Sequence, residues 1–495
     1  MDWNAHQQAV IAQMASGEGN LLVSARAGTG KTTTIVAGSN QMRGKTLFTA
    51  FNRSTRDVLH GRLSEEVDVR TAHQLGFRLC GAHWQSKMLG DDPQKKGRMI
   101  ARSVTADHGL RNMHYHAGVA ASTIKNLGIR RFEDMRSVVE ACGASFGVDA
   151  TPDDLHRAVW DCLKAAKADT AHVDYDDMVW LPYIHNVGPK ARYRNIVVDE
   201  LQDMNAPQTY ILGLYQEPSA YGGRTIGVGD EHQTIYQFRG AHGAFAWLQA
   251  QNPHMLSMPV SYRCSEAVVE YARQLVPDIV AAPGAPKGQV HWLDGSVHTL
   301  GLGGAEEQFC PQPGDAVLSR TNAHLMQVAM YLIRQGVPFS MMGKDMEARV
   351  RTLISRAADT GARDTKGIQS YVLGWYAENK AFLQDPAALQ DKADQALTVL
   401  QIARMCRSAD EMLQCAAKIF SADAKDGVTL ATVHRFKGLE APRAWLLEES
   451  FIEPDRLPEA DPERHIRYVA ITRAKTDLFL LGTMRATEDE MWSWQ

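Results

Sequence analysis

Residues 21–32 constrain the fold more than any other stretch of this 495-residue chain. Leu21-Leu22-Val23 reads as a strand and leads straight into Ala25-Arg26-Ala27-Gly28-Thr29-Gly30-Lys31-Thr32, where a helix opens. The loop matches G-x-x-x-x-G-K-[ST], with Ala25 in place of the first glycine. Gly28 and Gly30 let successive backbone N–H groups turn inward around phosphate oxygens. Lys31 is expected to neutralise β- and γ-phosphates, and the Thr32 hydroxyl to ligate Mg²⁺. The alternative, a glycine-rich turn with a solvated lysine, leaves this agreement of context and residues unexplained.

Short β-rich runs alternate with longer helical patterns, which predicts parallel sheets built from βαβ units. Thr46-Leu47-Phe48-Thr49-Ala50 reads as a second strand. Asn195-Ile196-Val197-Val198 ends at Asp199-Glu200, and Thr225-Ile226-Gly227-Val228 ends at Gly229-Asp230. Continuous apolar strands with polar residues just past their C-terminal ends fit a doubly wound sheet, which binds ligands there. Asp199 is expected to hold Mg²⁺ through water, and Glu200 to orient and deprotonate an attacking water. An acidic loop at a strand end is common by itself; beside the phosphate loop the pair is specific.

The turn-rich break Ala281-Ala282-Pro283-Gly284-Ala285-Pro286 precedes a second set of strand signals. These are Asp315-Ala316-Val317-Leu318, Val428-Thr429-Leu430-Ala431, Ala444-Trp445-Leu446-Leu447 and Leu478-Phe479-Leu480-Leu481. Residues 85–185 and 346–426 read as helices. The expected fold class is α/β: two cores with parallel sheets, each interrupted by a mostly helical insertion.

Composition narrows the function classes. With 44% hydrophobic and 22% charged residues the chain can fill more than one core, which excludes disorder. Lys+Arg is 53 and Asp+Glu 57, a net charge of −4 that argues against a globally basic nucleic-acid coat. Nine Lys/Arg against three Asp/Glu between 95 and 136 make a local excess of +6. That segment reads either as a contact to duplex phosphates or as a solvated helical face. The seven cysteines share no C-x-x-C spacing, so neither a zinc ribbon nor a disulfide framework is indicated. His114-Tyr115-His116 lacks further ligand spacing and reads as satisfied or exposed histidines. The polar N-terminus lacks a signal-peptide core and no apolar run approaches a membrane span, so a cytoplasmic protein without membrane contact is expected.

The motifs, taken in order, resemble the UvrD/Rep family of superfamily 1 helicases along most of the chain. Trp3-Asn4-Ala5-His6-Gln7 resembles the Q-motif, Thr49-Ala50-Phe51-Asn52-Arg53 motif Ia and Thr71-Ala72-His73 motif Ib. Asp199-Glu200-Leu201-Gln202-Asp203 resembles motif II, and Gly229 through Ala241 motif III. Ser261-Tyr262-Arg263 resembles motif IV, Thr432 through Glu440 motif V, and Tyr468 through Ala474 motif VI. Several are weak alone; eight in the family order are specific.

The resemblance implies two RecA-like P-loop motor domains. Domain 1A would be 1–84 with 186–258, and its insertion 1B 85–185. Domain 2A would be 259–345 with 427–495, and a reduced 2B 346–426. It implies an ATP-dependent DNA helicase with 3′→5′ polarity, using ATP and Mg²⁺. Ala27, Gly28, Thr29, Gly30, Lys31, Thr32 and Thr33 would line the phosphates, with Thr32 and Asp199 serving the metal. Gln7 would read adenine, Tyr262 stack on it, Glu440 contact the ribose region and Gln233 sense the γ-phosphate. Arg263 and Arg473 would neutralise the departing phosphate, so that ATP favours the closed state of the two cores. Phe51, Asn52, His73, Tyr236, Phe238, Arg239 and His434 match strand-contacting positions, combining aromatic faces with polar groups. Tyr236 reads equally well as a core ring. Arg26, Leu201 and Ala441 depart from the family pattern without removing a group needed for hydrolysis.

Single-stranded DNA and its junctions with duplex are the expected partners of an expected monomer. A translocase that displaces DNA-bound proteins with little unwinding is the alternative within the motor class. A nucleotide-gated DNA-binding module is the alternative outside it. A fused nuclease is disfavoured, because little chain follows motif VI.

Overall fold

The computed structural model describes residues 2–50, 53–90, 92, 94–141, 152–235, 243–296, 308–362, 364–382, 386–452 and 461–482. The chain divides into two compact units, the first built on Met1–Pro259 and the second on Val260–Asn379 with Leu389–Gln495.

In the first unit, strands β1 (Leu21–Ala25), β2 (Thr46–Thr49), β3 (Val67–Arg70), β6 (Asn195–Val198), β7 (Arg224–Gly229) and β8 (His254–Met258) form one parallel sheet. Their order is β3-β2-β6-β7-β1-β8. Alternate residues of each strand face opposite sides, as the two-residue period of a strand demands. Leu21, Val23, Phe48 and Val197 pack with Val10, Met14 and Ile35 on one face. Leu22, Leu47, Ile196 and Val198 pack with Leu75, Leu79, Ile211 and Leu248 on the other. Both faces being covered is why these strands read as unbroken apolar runs.

The first insertion consists mainly of helices Lys95–Asp107, His114–Leu127 and Pro152–Ala168, and it continues into helix Tyr175–His185. A two-stranded parallel pair, β4 (Lys87–Met88) with β5 (His172–Val173), closes its base. Ala101, Ala117, Ile124, Leu155 and Val159 belong to the same hydrophobic cluster as Leu22 and Ile196, so insertion and sheet share one core.

Two of the nine basic residues of 95–136 are spent internally, and the other seven are exposed. Lys96 and Lys125 are buried, and both approach Asp177, with Lys96 Nζ 2.8 Å from Oδ2 and Lys125 Nζ 2.7 Å from Oδ1. Arg98 pairs with Asp92, Arg131 with Asp134 and Arg136 with Asp153. Neither a phosphate-facing stripe nor a solvated face describes Lys96 and Lys125. Burial would lower the pKa of Lys125, but the carboxylates of Asp177, Asp174 and Asp176 outweigh it and hold it above its ordinary value.

The second unit begins with the short parallel pair β9 (Val260–Ser261) and β10 (Val280–Ala281). Its main sheet contains β11 (Gln289–Asp294), β12 (Ala316–Ser319), β13 (Phe339–Met341), β14 (Val428–Thr432), β15 (Ala441–Leu447) and β16 (Ala474–Gly482). The order is β11-β16-β15-β12-β14-β13, again all parallel. Helices Lys344–Asp359, Thr365–Phe382, Pro386–Met405 and Ala409–Phe420 fill the second insertion. Asp394 roots it in the sheet layer: its carboxylate accepts from Asn322 N at 3.0 Å and Ala323 N at 2.9 Å, capping helix Asn322–Gln335.

The eight strands read from the sequence are the eight interior strands of the two main sheets. The four edge strands, β3, β8, β11 and β13, went unread. Among the described residues no helix is long and apolar enough to cross a membrane.

Candidate functional site

The phosphate loop sits at the C-terminal end of β1, between β7 and the edge strand β8. Gly28 and Gly30 have φ of 74° and 76°, the left-handed region that glycine adopts without strain. Gly30 caps helix Lys31–Ser39 without a side-chain cap hydrogen bond, which leaves the helix start suited to an anion. A Cβ on Gly30 would lie 3.2 Å from Gln7 Nε2. Gln7 is already committed: its Oε1 accepts from Asn4 N at 3.1 Å and its Nε2 donates to the Thr29 carbonyl at 3.3 Å. Ala27 and Thr29 are buried, and Thr29 Oγ1 donates to the Arg26 carbonyl at 3.0 Å. Lys31 is buried, with Nζ 3.4 Å from the Ala25 carbonyl. Thr33 Oγ1 accepts from Arg62 Nη2 at 3.1 Å.

Asp199 and Glu200 follow β6, two strands from β1. Thr32 Oγ1 donates to Asp199 Oδ2 at 2.7 Å. Burial and the neighbouring Glu200 carboxylate push the Asp199 pKa up to about 7, against the opposing pull of Thr32 and Lys31. A buried carboxylate beside a hydroxyl is a pair of hard oxygen ligands. That chemistry fits a hard divalent cation such as Mg²⁺. Glu200 has a left-handed backbone, φ 51° and ψ 49°, which turns it out of the strand direction.

Glu200 connects to the end of β7 through Gln202. Gln202 Nε2 donates to Glu200 Oε2 at 2.6 Å, and its Oε1 accepts from Asp230 N at 3.1 Å. Asp230 Oδ2 accepts from Gln233 Nε2 at 2.7 Å, and its Oδ1 receives His232 N at 3.2 Å and Arg26 Nη1 at 3.3 Å. Gly229 makes room for this arrangement, because a Cβ there would collide with Gln202 Oε1.

In the second unit Arg263 Nε donates to Glu440 Oε2 at 2.7 Å and Lys475 Nζ lies 2.6 Å from Glu440 Oε1. Partial burial alone would raise the Glu440 pKa; Lys475 and Arg263 outweigh it and hold the carboxyl below its usual range. Tyr262 is 51% exposed. Arg473 is buried, and its guanidinium donates to Val469 O at 2.9 Å, Leu439 O at 3.1 Å and Thr472 Oγ1 at 3.3 Å.

Of the strand-contact candidates, His73 lies in helix Ala72–Trp84, its ring centroid 5.3 Å from that of Tyr175. Burial lowers its pKa against the opposing charge of Asp176. His434 is half-buried in the short helix Val433–Phe436 that follows β14. Phe51, Asn52, Tyr236, Phe238 and Arg239 lie outside the described residues.

The structure therefore gathers the loop, Gln7, Asp199, Glu200 and Gln233 at one end of the first sheet, and Arg263 with Glu440 in the second unit. Sequence reasoning missed Arg26, Gln202 and Asp230 as partners in that site, and Lys475 beside Glu440. Gln202 and Asp230 stood inside the quoted motifs. The signal for Arg26 was its departure from a small residue.

A family model described as the UvrD/REP helicase N-terminal domain matches residues 3–253, and one described as the UvrD-like helicase C-terminal domain matches 391–484. F-box DNA helicase protein 1 of Schizosaccharomyces pombe is 24% identical over 531 residues, covering 97% of this chain and 57% of the relative. ATP-dependent DNA helicase UvrD2 of Mycobacterium tuberculosis is 24% identical over 552 residues, covering 93% of this chain and 76% of the relative. UvrD1 of the same organism is 25% identical over 295 residues, 51% of this chain and 36% of the relative. The chain thus spans 57% and 36% of the lengths of the first and last of these.

Proposed function

The chain belongs to the UvrD/REP helicase family, and from that premise we propose that it is an ATP-dependent DNA helicase that moves 3′→5′ along one strand. The observation that carries the reading is the 2.7 Å contact between Thr32 and Asp199, made beneath a glycine-cradled helix start with Glu200 next in sequence. These are the parts that hydrolysis of a nucleoside triphosphate requires: a phosphate cradle, a cation-holding pair and a carboxylate base.

Loop N–H groups and Lys31 bind the β- and γ-phosphates. Thr32 and Asp199 would hold Mg²⁺, which when bound supplies positive charge to those phosphates. Glu200, aimed by Gln202, orients the attacking water and takes its proton. Gln233 senses the γ-phosphate from its seat on Asp230. Arg263 and Arg473, carried by the second unit, are proposed to neutralise charge on the departing phosphate. Glu440 and Tyr262 are proposed for the ribose and adenine, and His73 and His434 for the strand.

The test is unwinding of duplexes bearing 3′ or 5′ single-stranded tails, of DNA or RNA, with ATP and Mg²⁺. Unwinding only of 3′-tailed DNA is expected. Displacement of bound protein without unwinding would select the translocase alternative. Strand binding without turnover would refute the motor reading.

A further inference from the structure

Arg26 occupies a place in the phosphate loop where many chains of this kind carry a small residue, and its side chain is not solvated. The guanidinium is buried, with Nη1 3.1 Å from Ser24 Oγ and 3.3 Å from Asp230 Oδ1. Asp230 is itself fully buried. Its two carboxylate oxygens serve different loops: Oδ1 faces Arg26 and Oδ2 accepts from Gln233 Nε2 at 2.7 Å. Its backbone N–H donates to Gln202 Oε1, whose Nε2 holds Glu200. One residue therefore joins three elements: the phosphate loop after β1, the acidic turn after β6 and the 3₁₀ turn Glu231–Gln233 after β7.

A guanidinium is a charged donor and holds a carboxylate more firmly than the neutral N–H groups that are its other partners here. A glycine in place of Arg26 would remove the guanidinium 3.3 Å from Asp230 Oδ1. We propose that Arg26 is a positioning residue for hydrolysis: through Asp230 it fixes the amide of Gln233 and the Gln202–Glu200 pair. Arg26 does not bind nucleotide in this scheme; it sets the aim of the groups that do. The inference rests on the ATP-hydrolysing reading above.

The experiment is a double-mutant cycle on the full chain, measuring ATPase turnover and KM for ATP with Mg²⁺ and a single-stranded oligonucleotide. Arg26→Gln, which keeps a donor and removes the charge, lowers kcat about tenfold and leaves KM within about twofold. In an Asp230→Asn background, where no charge needs balancing, the same change lowers kcat less than about twofold. Arg26→Lys restores turnover to within about threefold, because charge is kept but the fork is lost. Equal losses in both backgrounds, a loss carried by KM, or no loss would each overturn the role. If Arg26→Gln does not fold, Arg26→Lys runs the same cycle, with a loss of about threefold expected only when Asp230 is present. Wild-type chain that hydrolyses no ATP refutes the motor reading instead. Wild-type turnover beside an unchanged Arg26→Gln variant refutes this role alone.

Discussion

Removing the Asp177 carboxylate should open the first insertion. The side chain of Asp177 is fully buried and stands between two ammonium groups whose side chains are 2% and 4% exposed. Deleting one member of a buried ion pair costs about 3–5 kcal/mol, because the remaining charge is stranded. Here the two lysines are stranded unequally. Lys96 Nζ keeps the carbonyls of Ala166, Asp169 and His172 at 3.2, 2.6 and 2.8 Å. Lys125 keeps the ring face of Trp180, 5.3 Å away, and the more distant charges of Asp174 and Asp176. Most of the cost therefore falls on Lys125. Asp177→Ala should destabilise the first unit by about 4 kcal/mol, and removing Lys125 as well should return about 2 kcal/mol of that. In thermal terms the single variant should melt about 10 °C lower, taking about 2–4 °C per kcal/mol for a unit of this size. Calorimetry gives the melting shift. Hydrogen exchange over 95–107, 114–127 and 175–185 shows whether those helices open together. A cost below about 1 kcal/mol for Asp177→Ala, or strict additivity in Asp177→Ala/Lys125→Met, would refute the assignment of the shared carboxylate as the anchor.

Three further outcomes are expected. Glu200→Gln keeps ATP binding and lowers turnover at least about 100-fold; parallel loss of binding, measured with a fluorescent nucleotide, would remove its role as base. Gly229→Ala costs about 1–3 kcal/mol by overpacking and lowers turnover as well, because Gln202 must leave Glu200; a denaturation midpoint equal to wild type would show that the turn has slack. Glu440, held below its usual pKa by Lys475 and Arg263, contributes stability that is present above its unfolded value of about 4.3 and fades as pH falls through the folded one. Glu440→Gln should thus cost at most about 1 kcal/mol at pH 7 and less as pH falls below the unfolded value, and a cost that grows on acidification would contradict the sign.

How much of the fold was legible depended on where each strand sits. Interior strands such as β6, with Asn195–Val198 wholly buried, must be apolar on both faces, so they announce themselves as runs. Edge strands need cover one face less completely. β3 carries Asp68 and Arg70 between its valines, β8 exposes His254 and Met255, and β11 is largely open. Their polar residues broke the run and hid the strand. Charge was misleading for a related reason: a count over 95–136 cannot tell a lysine in water from one against Asp177. The acidic run Asp174-Tyr175-Asp176-Asp177, the N-cap and first turn of an otherwise apolar helix, was the available clue. At the site, the residues proposed to act on phosphate lie in local motifs and could be read singly. The partners that hold them, Arg26 on Asp230 and Lys475 on Glu440, come from separate strands and meet only once the sheets form.

The left-handed backbone of Glu200 sets two selective pressures against each other at one position. A non-glycine residue in that conformation costs about 1–3 kcal/mol, and glycine or asparagine would adopt it more easily. A library randomised at position 200 and screened for heat resistance should enrich those two residues. The same library screened for turnover should return glutamate alone. A consensus drawn from thermostability would thus discard the side chain proposed here as the base for hydrolysis.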